Sequence, residues 1–152
     1  MLKIISLRST IIQIPYSLTL ETMYNLIDEV VDKNYDVKYR RIKFDFSRLN
    51  WIDAVGIAVL SNLIEFLKSG GARVKFAGYD LKVNAIRYLD DSGFFKQYLG
   101  GCIGKTATLR STTIPLQLVS HKKSFSWIEN ELMPWMAERI GLKQSSLATI
   151  KV

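Results

Sequence analysis

Apolar and polar residues alternate with a period of two in several short stretches of the chain, and this alternation predicts β-strands. The predicted strands cover residues 2–7, 11–14, 42–46 and 73–77. The clearest case is Ile42, Phe44 and Phe46, whose side chains fall on one face of a strand. A turn at residues 8–10 is expected to separate the first two strands, and Pro15 to end the second.

Between these strands the apolar residues recur every three or four positions, a spacing that predicts helices with one buried face. The predicted helices include residues 20–30, 54–68 and 82–91. The first helix is expected to bury Leu20, Met23, Ile27 and Val30. Strands that alternate with helices need crossover connections. The sequence therefore predicts an α/β fold, in which helices pack on a mixed β-sheet with a parallel part.

Short polar residues mark the boundaries of these elements. Asp53 stands where the second helix needs an N-terminal cap, because its carboxylate can accept hydrogen bonds from the free backbone N–H groups of the first turn. Asp45 and Ser47 follow a strand and are expected to shape the loop through side-chain to backbone hydrogen bonds. Gly93 fits the left-handed residue that often follows a helix.

The order of these boundary residues is characteristic. Asp45-Phe-Ser47, followed after a short gap by Asp53-Ala-Val-Gly56-Ile, resembles the signature of STAS domains, the fold of bacterial anti-sigma-factor antagonists. Two later segments resemble the glycine turn and the third helix of that family, and the resemblance extends over residues 2–98. It implies a STAS-like sheet and a cytoplasmic regulator that acts by partner switching, by binding other proteins rather than by catalysis.

The resemblance also implies a partner-binding site at the start of the second helix. Its residues would be Asn50, Asp53, Ala54, Val55 and Gly56. The partner would be an anti-sigma-factor or kinase-like ATPase domain, on the same chain or on another. Family antagonists are switched by phosphorylation of a serine in this segment, but the matching residue is Val55. Because valine has no hydroxyl group, we expect this switch to be absent and partner binding to be constitutive or controlled elsewhere.

The C-terminal third departs from the family pattern. Residues 96–113 predict no closing helix, whereas 113–119 predicts a strand and 127–140 a helix that Pro134 should kink. Ser126 and Glu129 have the spacing of a capping box at its start.

This strand and helix resemble the opening of histidine-kinase-like ATPase domains, including anti-sigma-factor kinases. The predicted organisation is a STAS-like domain over 1–104, a linker over 105–112 and an incomplete ATPase-like part over 113–152. The chain would then be the N-terminal part of a STAS–ATPase fusion. The 127–140 helix is expected to pack on the STAS-like domain or on a second chain, and a homodimer stays possible.

Composition limits the other function classes. One cysteine, Cys102, excludes an internal disulfide framework and favours a reducing compartment. The apolar runs are too short to span a membrane, and the N-terminus does not have the pattern of a signal peptide. We therefore expect a cytoplasmic protein without a membrane span. With His121 as the only histidine, the sequence predicts neither a metal site nor a cofactor.

The net charge of +7 raises the alternative of nucleic-acid binding. Lysine and arginine cluster around one strand, at Lys38, Arg40, Arg41, Lys43 and Arg48. The neighbouring aromatic residues are predicted to be buried, so they are not expected to stack on bases. A solvated basic face that favours an acidic protein partner is the preferred interpretation, and nucleic-acid binding stays open.

An NTP-binding enzyme is the other alternative. Gly100-Gly-Cys-Ile-Gly-Lys-Thr106 resembles a phosphate-binding loop, which needs glycine, four residues and then Gly-Lys-Thr. The spacing fails by one residue, because Leu99 stands where the first glycine is required. No combination of a nucleophile with a credible base is found, and we expect no catalytic residues. An ATPase fragment is left open as a form of this alternative.

Overall fold

The computed structural model describes residues 6–104 and 114–140. Strands and helices alternate along most of this part of the chain. The strands are β1 (Ser6–Gln13), β2 (Ser17–Leu18), β3 (Tyr39–Asp45), β4 (Trp51–Ile52) and β5 (Arg73–Ala77). The helices are α1 (Leu20–Val30), α2 (Ala54–Ser69), α3 (Asn84–Asp91), α4 (Phe94–Leu99), α5 (His121–Trp127) and α6 (Met133–Ile140), with a π-helical turn, Ile128–Leu132, between the last two.

The main sheet has three parallel strands in the order β1-β3-β5, with β3 in the centre. Its register pairs Ile12 with Phe44 and Phe44 with Phe76, so the apolar residues of the three strands form continuous rows. Two short strands, β2 and β4, continue the chain beyond the carboxyl ends of β1 and β3 and form a second parallel pair. The predicted α/β class is confirmed.

The core lies between one face of this sheet and the helices. Strand residues at alternate positions supply its centre, and each of the first four helices adds its apolar side. Fully or almost fully buried members are Ile12, Ile14, Met23, Leu26, Val30, Ile42, Phe44, Phe46, Leu60, Ile64, Leu67, Ile86, Leu89, Phe94 and Phe95. The rings of Phe46, Phe76 and Phe94 meet edge to face or tilted, with centroids 5.7–6.1 Å apart, geometries that aromatic pairs prefer.

Two predictions near the N-terminus are wrong. The expected turn at residues 8–10 is absent, because Ser6–Gln13 is one strand that has only an irregular register between Ser6 and Ser9. Leu20 is exposed, whereas Leu26 is buried with Met23 and Val30. Leu20 is the first residue of α1, and the buried side of the helix begins at Met23. The predicted strand residues 2–5 lie outside the described residues.

The chain after α3 differs from its prediction in two respects. Helix α4 forms directly after Gly93, although no helix was predicted over residues 96–113. The φ of Gly93 is 85°, which is left-handed as expected. Residues 114–120 form no strand, and their backbone is instead tied to the domain by the Leu116 N–H, which donates to the Ser92 carbonyl at 2.8 Å. Pro115 has no N–H group, which removes one donor from any ladder there.

The last helix starts earlier than predicted. It begins at His121 after Ser120, so the capping box expected at Ser126 is wrong. The first turn is polar and exposed, and hydrophobic spacing alone could not find it. Pro134 does interrupt the α-helix, as predicted, since the π-helical turn lies just before it. The predicted linker, 105–112, and the segment after residue 140 lie outside the described residues.

Candidate functional site

The loop after β3 is held by contacts with both neighbouring strands. The Ser47 N–H donates to Asp45 Oδ1 at 2.9 Å, which confirms the loop-forming role of both residues. Gln13, at the end of β1, donates from Nε2 to the Asp45 carbonyl at 3.0 Å and to Ser47 Oγ at 3.3 Å. Gly78, just past β5, has a φ of 69°, and a Cβ there would overlap the Asp45 carboxylate. This geometry fixes the path of the chain toward α2.

Helix α2 begins with the predicted cap. Asp53 Oδ1 accepts a hydrogen bond of 2.6 Å from the Gly56 N–H, while the Ile57 N–H donates to the Asp53 carbonyl at 3.0 Å. The side chain thus satisfies one of the four free donors of the first helical turn. Asp53 is therefore a helix cap in this structure.

Gly56 allows α2 to lie directly against β2. A Cβ on this residue would overlap the carbonyl oxygen of Leu18, which is backbone and has no means to swing away. The helix start, the β2–β4 pair and the loop from β3 are therefore packed as one unit. Gly56 is buried, so its observed contact is with the domain itself, and its part in partner binding stays a prediction.

The other predicted site residues reach the surface together at this end of the sheet. Asn50 and Ala54 are exposed, Asp53 is partly exposed, and the Val55 side chain is 49% exposed. They lie beyond the carboxyl ends of the parallel strands, the usual position of binding sites in α/β proteins.

Large apolar side chains are exposed on the segments that pack around the start of α2, and most of them were not predicted as site residues. Tyr16, Leu20, Tyr24, Trp51 and Val55 are all about half exposed or more; together we call them the apolar patch. The backbone N–H groups of Asn50 and Trp51 donate to the Tyr16 carbonyl at 2.9 and 3.0 Å. These hydrogen bonds hold the backbone of Tyr16 next to that of Trp51. Trp51 alternates with buried Ile52, and this alternation was the available signal for its exposure.

Two cavities flank the first turn of α2. One, of about 620 Å³, is lined by Asn50, Trp51, Ile52, Asp53, Ala54, Asn84, Ala85 and Tyr88. The other, of about 390 Å³, lies between α2 and residues 114–140, which we call the C-terminal extension. Trp127 and Trp135 of the extension line this cavity together with Ala54 and Ala58. Trp127 Nε1 is buried there and has no hydrogen-bond partner among the described residues. The extension thus lies next to the predicted partner-binding segment.

The described part of the glycine segment, residues 100–104, is hydrogen-bonded to a side chain of helix α3. Asp90 is 3% exposed, and its two carboxylate oxygens accept hydrogen bonds from the N–H groups of Ile103 and Gly104 at 2.9 and 2.8 Å. A carboxylate of the chain itself therefore occupies the donors that a phosphate would need from these two residues.

No protein-family model matches this sequence, and neither a curated protein nor a solved structure shows significant similarity to it. The resemblance to STAS domains therefore rests on the sequence motifs, and it stays a prediction. So does the resemblance of residues 113–152 to an ATPase domain.

Two further findings concern the residues at 6–104 and 114–140. No helix within these ranges has the length and apolar character that a membrane span requires. The same residues contain no group of three or more histidine, cysteine, aspartate or glutamate side chains placed to hold a metal ion.

Proposed function

We propose that this chain is a non-enzymatic regulatory module that binds a protein partner through the apolar patch and the start of α2. The observation that carries the proposal is Trp51, which is 60% exposed beside the cap of α2. Exposed aromatic and aliphatic side chains grouped in this way are typical of protein interfaces, where tryptophan and tyrosine contribute much of the binding energy.

The partner class follows from the resemblance to STAS domains. We propose an anti-sigma-factor or kinase-like ATPase domain, in the same polypeptide or another, within the cytoplasm. Val55 would meet this partner as an apolar contact where the family has a phosphorylated serine. A phosphate at that position would add nearly two negative charges next to Asp53, and valine removes this means of release. Binding would therefore be constitutive with respect to phosphorylation at residues 50–56.

The test is a titration of the full chain against kinase-like ATPase domains encoded in the same genome. We expect at least one of them to bind the native chain. Trp51→Ala and Val55→Glu should each weaken this binding at least tenfold, because they remove an anchor or place a charge in the interface.

Tyr35→Asn is the matched control. Tyr35 is also exposed, but it lies in the turn before β3, at the opposite end of the sheet, and its φ of 61° is one that asparagine tolerates. The control should bind like the native chain. Equal binding by native chain and both patch variants, or no binding to any such domain, would contradict the proposal.

A further inference from the structure

The main sheet is covered on one face only by the described residues. Side chains alternate along a strand, so the residues between Ile42, Phe44 and the other core positions point to the opposite face. That face carries two rows in register, Ser9–Arg41–Arg73 and Ile11–Lys43–Lys75. Parallel sheets are normally covered on both faces, and an open one is unusual.

Four cations dominate this second face. We call Arg41, Lys43, Arg73 and Lys75 the basic face. Arg41 is paired with Arg73 and Lys43 with Lys75, so like charges lie directly opposite each other on adjacent strands. This arrangement is destabilising by itself. None of the four forms an ion pair or a side-chain hydrogen bond with a described residue.

Asp45 is the only acidic residue of the three strands, and its carboxylate accepts a hydrogen bond from the Ser47 N–H in the following loop. The segments outside the described residues are 1–5, 105–113 and 141–152, and they contain lysine and arginine but neither aspartate nor glutamate. Neutralisation of the basic face by these segments is therefore excluded by their composition. Acidic side chains that neutralise the four cations therefore have to come from outside residues 1–152.

We propose that the basic face binds an acidic amphipathic helix of a protein partner, which supplies the missing layer of the fold. Helices are the usual cover of a parallel sheet and run roughly along its strands. Cations two residues apart on a strand are about 7 Å apart, and adjacent strands are about 4.8 Å apart. The Cβ atoms of glutamates at positions i and i+4 of a helix lie about 6 Å apart, a separation between these two spacings that flexible side chains can bridge.

The remaining chemistry of the face favours a helix over a nucleic acid. Ile11 is 57% exposed beside Lys43 and offers an apolar contact, to which the aliphatic stems of the lysines and arginines add. The two guanidinium groups can bind carboxylates through two hydrogen bonds each. No aromatic residue lies in these two rows, so the four cations have no aromatic platform between them on which bases could stack.

This surface is distinct from the apolar patch, so the two proposals can fail separately. The test uses the full chain and a synthetic amphipathic helical peptide with glutamate at i, i+4 spacing on one side and leucine beside it. Two further probes of comparable charge are a single-stranded oligonucleotide and vesicles of phosphatidylserine with phosphatidylcholine. Binding is measured by fluorescence anisotropy for the first two and by co-sedimentation for the vesicles, at low and physiological salt.

The test variant replaces the four cations of the basic face by glutamine. The control variant replaces four lysines by glutamine and so loses the same net charge. They are exposed outside the main sheet, at Lys33, Lys82, Lys122 and Lys123. We expect the native chain and the control to bind the peptide, and the test variant to bind at least tenfold more weakly. Unfolding of the test variant in the absence of peptide should require more urea, because like-charge repulsion is relieved.

Several outcomes would overturn the proposal. Absence of peptide binding would do so, as would equal weakening by the control variant, which would indicate attraction to net charge alone. Tighter binding of the oligonucleotide or the vesicles, lost in the same test variant, would identify a different class of ligand. Self-association of the native chain that the test variant abolishes would identify a second copy as the occupant.

Discussion

At the scale of single residues, Gly56 shows how one missing side chain positions the site. Because a Cβ here would overlap the Leu18 carbonyl oxygen, we expect Gly56→Ala to lower the free energy of unfolding by about 1–3 kcal/mol through overpacking. Gly101→Ala is the control, since nothing lies within 4 Å of its Cβ position. Urea denaturation measures both variants, and equal stability of the two would refute this account of Gly56.

Tyr98 is the residue whose titration should affect stability at high pH. Burial raises the pKa of Tyr98 from 10.0 to about 12, an interaction with the Ser61 side chain opposes part of this increase, and the Glu65 carboxylate adds to it. The folded state therefore favours the neutral phenol. Its contribution is complete below pH 10 and decreases as pH rises from 10 toward 12.

The comparison that isolates this effect is native chain against Tyr98→Phe. Below pH 10 the variant should be less stable by about 0.5–1.5 kcal/mol, because the partly buried hydrogen bond to the Ser61 carbonyl is lost. The difference should shrink between pH 10 and 12, where only the native chain has this phenol to ionise. Denaturation at a series of pH values measures this difference. A constant difference would show that the pKa of Tyr98 is the same in the folded and the unfolded chain.

At the scale of elements, Asp90 connects helix α3 to the glycine segment. Asp90→Ala would leave the N–H groups of Ile103 and Gly104 without their acceptors, at a cost of about 1–3 kcal/mol for each group that water does not reach. Asp90→Asn keeps one acceptor oxygen and should be intermediate. Amide hydrogen exchange should accelerate at these two residues in the alanine variant, whereas unchanged exchange would show that other contacts hold the segment.

The C-terminal helices depend on their π-helical turn for a common apolar side. Eight residues of regular α-helix would place Trp135 about 80° around the axis from Trp127. A π-helical turn holds more residues, and it returns the two rings toward one side, where both line the cavity beside α2.

This packing predicts a stabilising role for Trp135. Trp135→Ala should lower the free energy of unfolding by about 1–2 kcal/mol, since the side chain is half-buried, and should change the fluorescence of Trp127 nearby. Leu118→Ala is the control, because Leu118 belongs to the same extension and is exposed. If both variants unfold like the native chain, the packing of Trp135 against α2 does not stabilise the domain.

At the scale of the whole molecule, our proposals assign both surfaces to protein partners and none to a nucleotide. We expect the full chain not to bind Mg-ATP at micromolar concentration, because Asp90 occupies two donors of the glycine segment and the loop spacing is wrong. Isothermal titration calorimetry tests this expectation. Micromolar binding that Gly104→Ala abolishes would restore the NTP-binding alternative.

The sequence was sufficient for features that depend on neighbouring residues. The alternation at Ile42, Phe44 and Phe46, the Asp53 cap and the left-handed Gly93 were all predicted and are all present. Each depends on the local backbone and on one short hydrogen bond or one buried face, and both are set by residues a few positions apart. The α/β class follows from the order of such elements.

Tertiary structure decided the features that depend on distant residues. Leu20 matches a buried stripe, yet it is exposed at the start of α1, because the packing of the helix on the domain buries Met23, Leu26 and Val30 instead. The sequence clusters Arg41 with Lys43, but only strand pairing places Arg73 and Lys75 opposite them. Register and helix packing bring together residues that are far apart in sequence, so a local pattern contains neither the apolar patch nor the basic face.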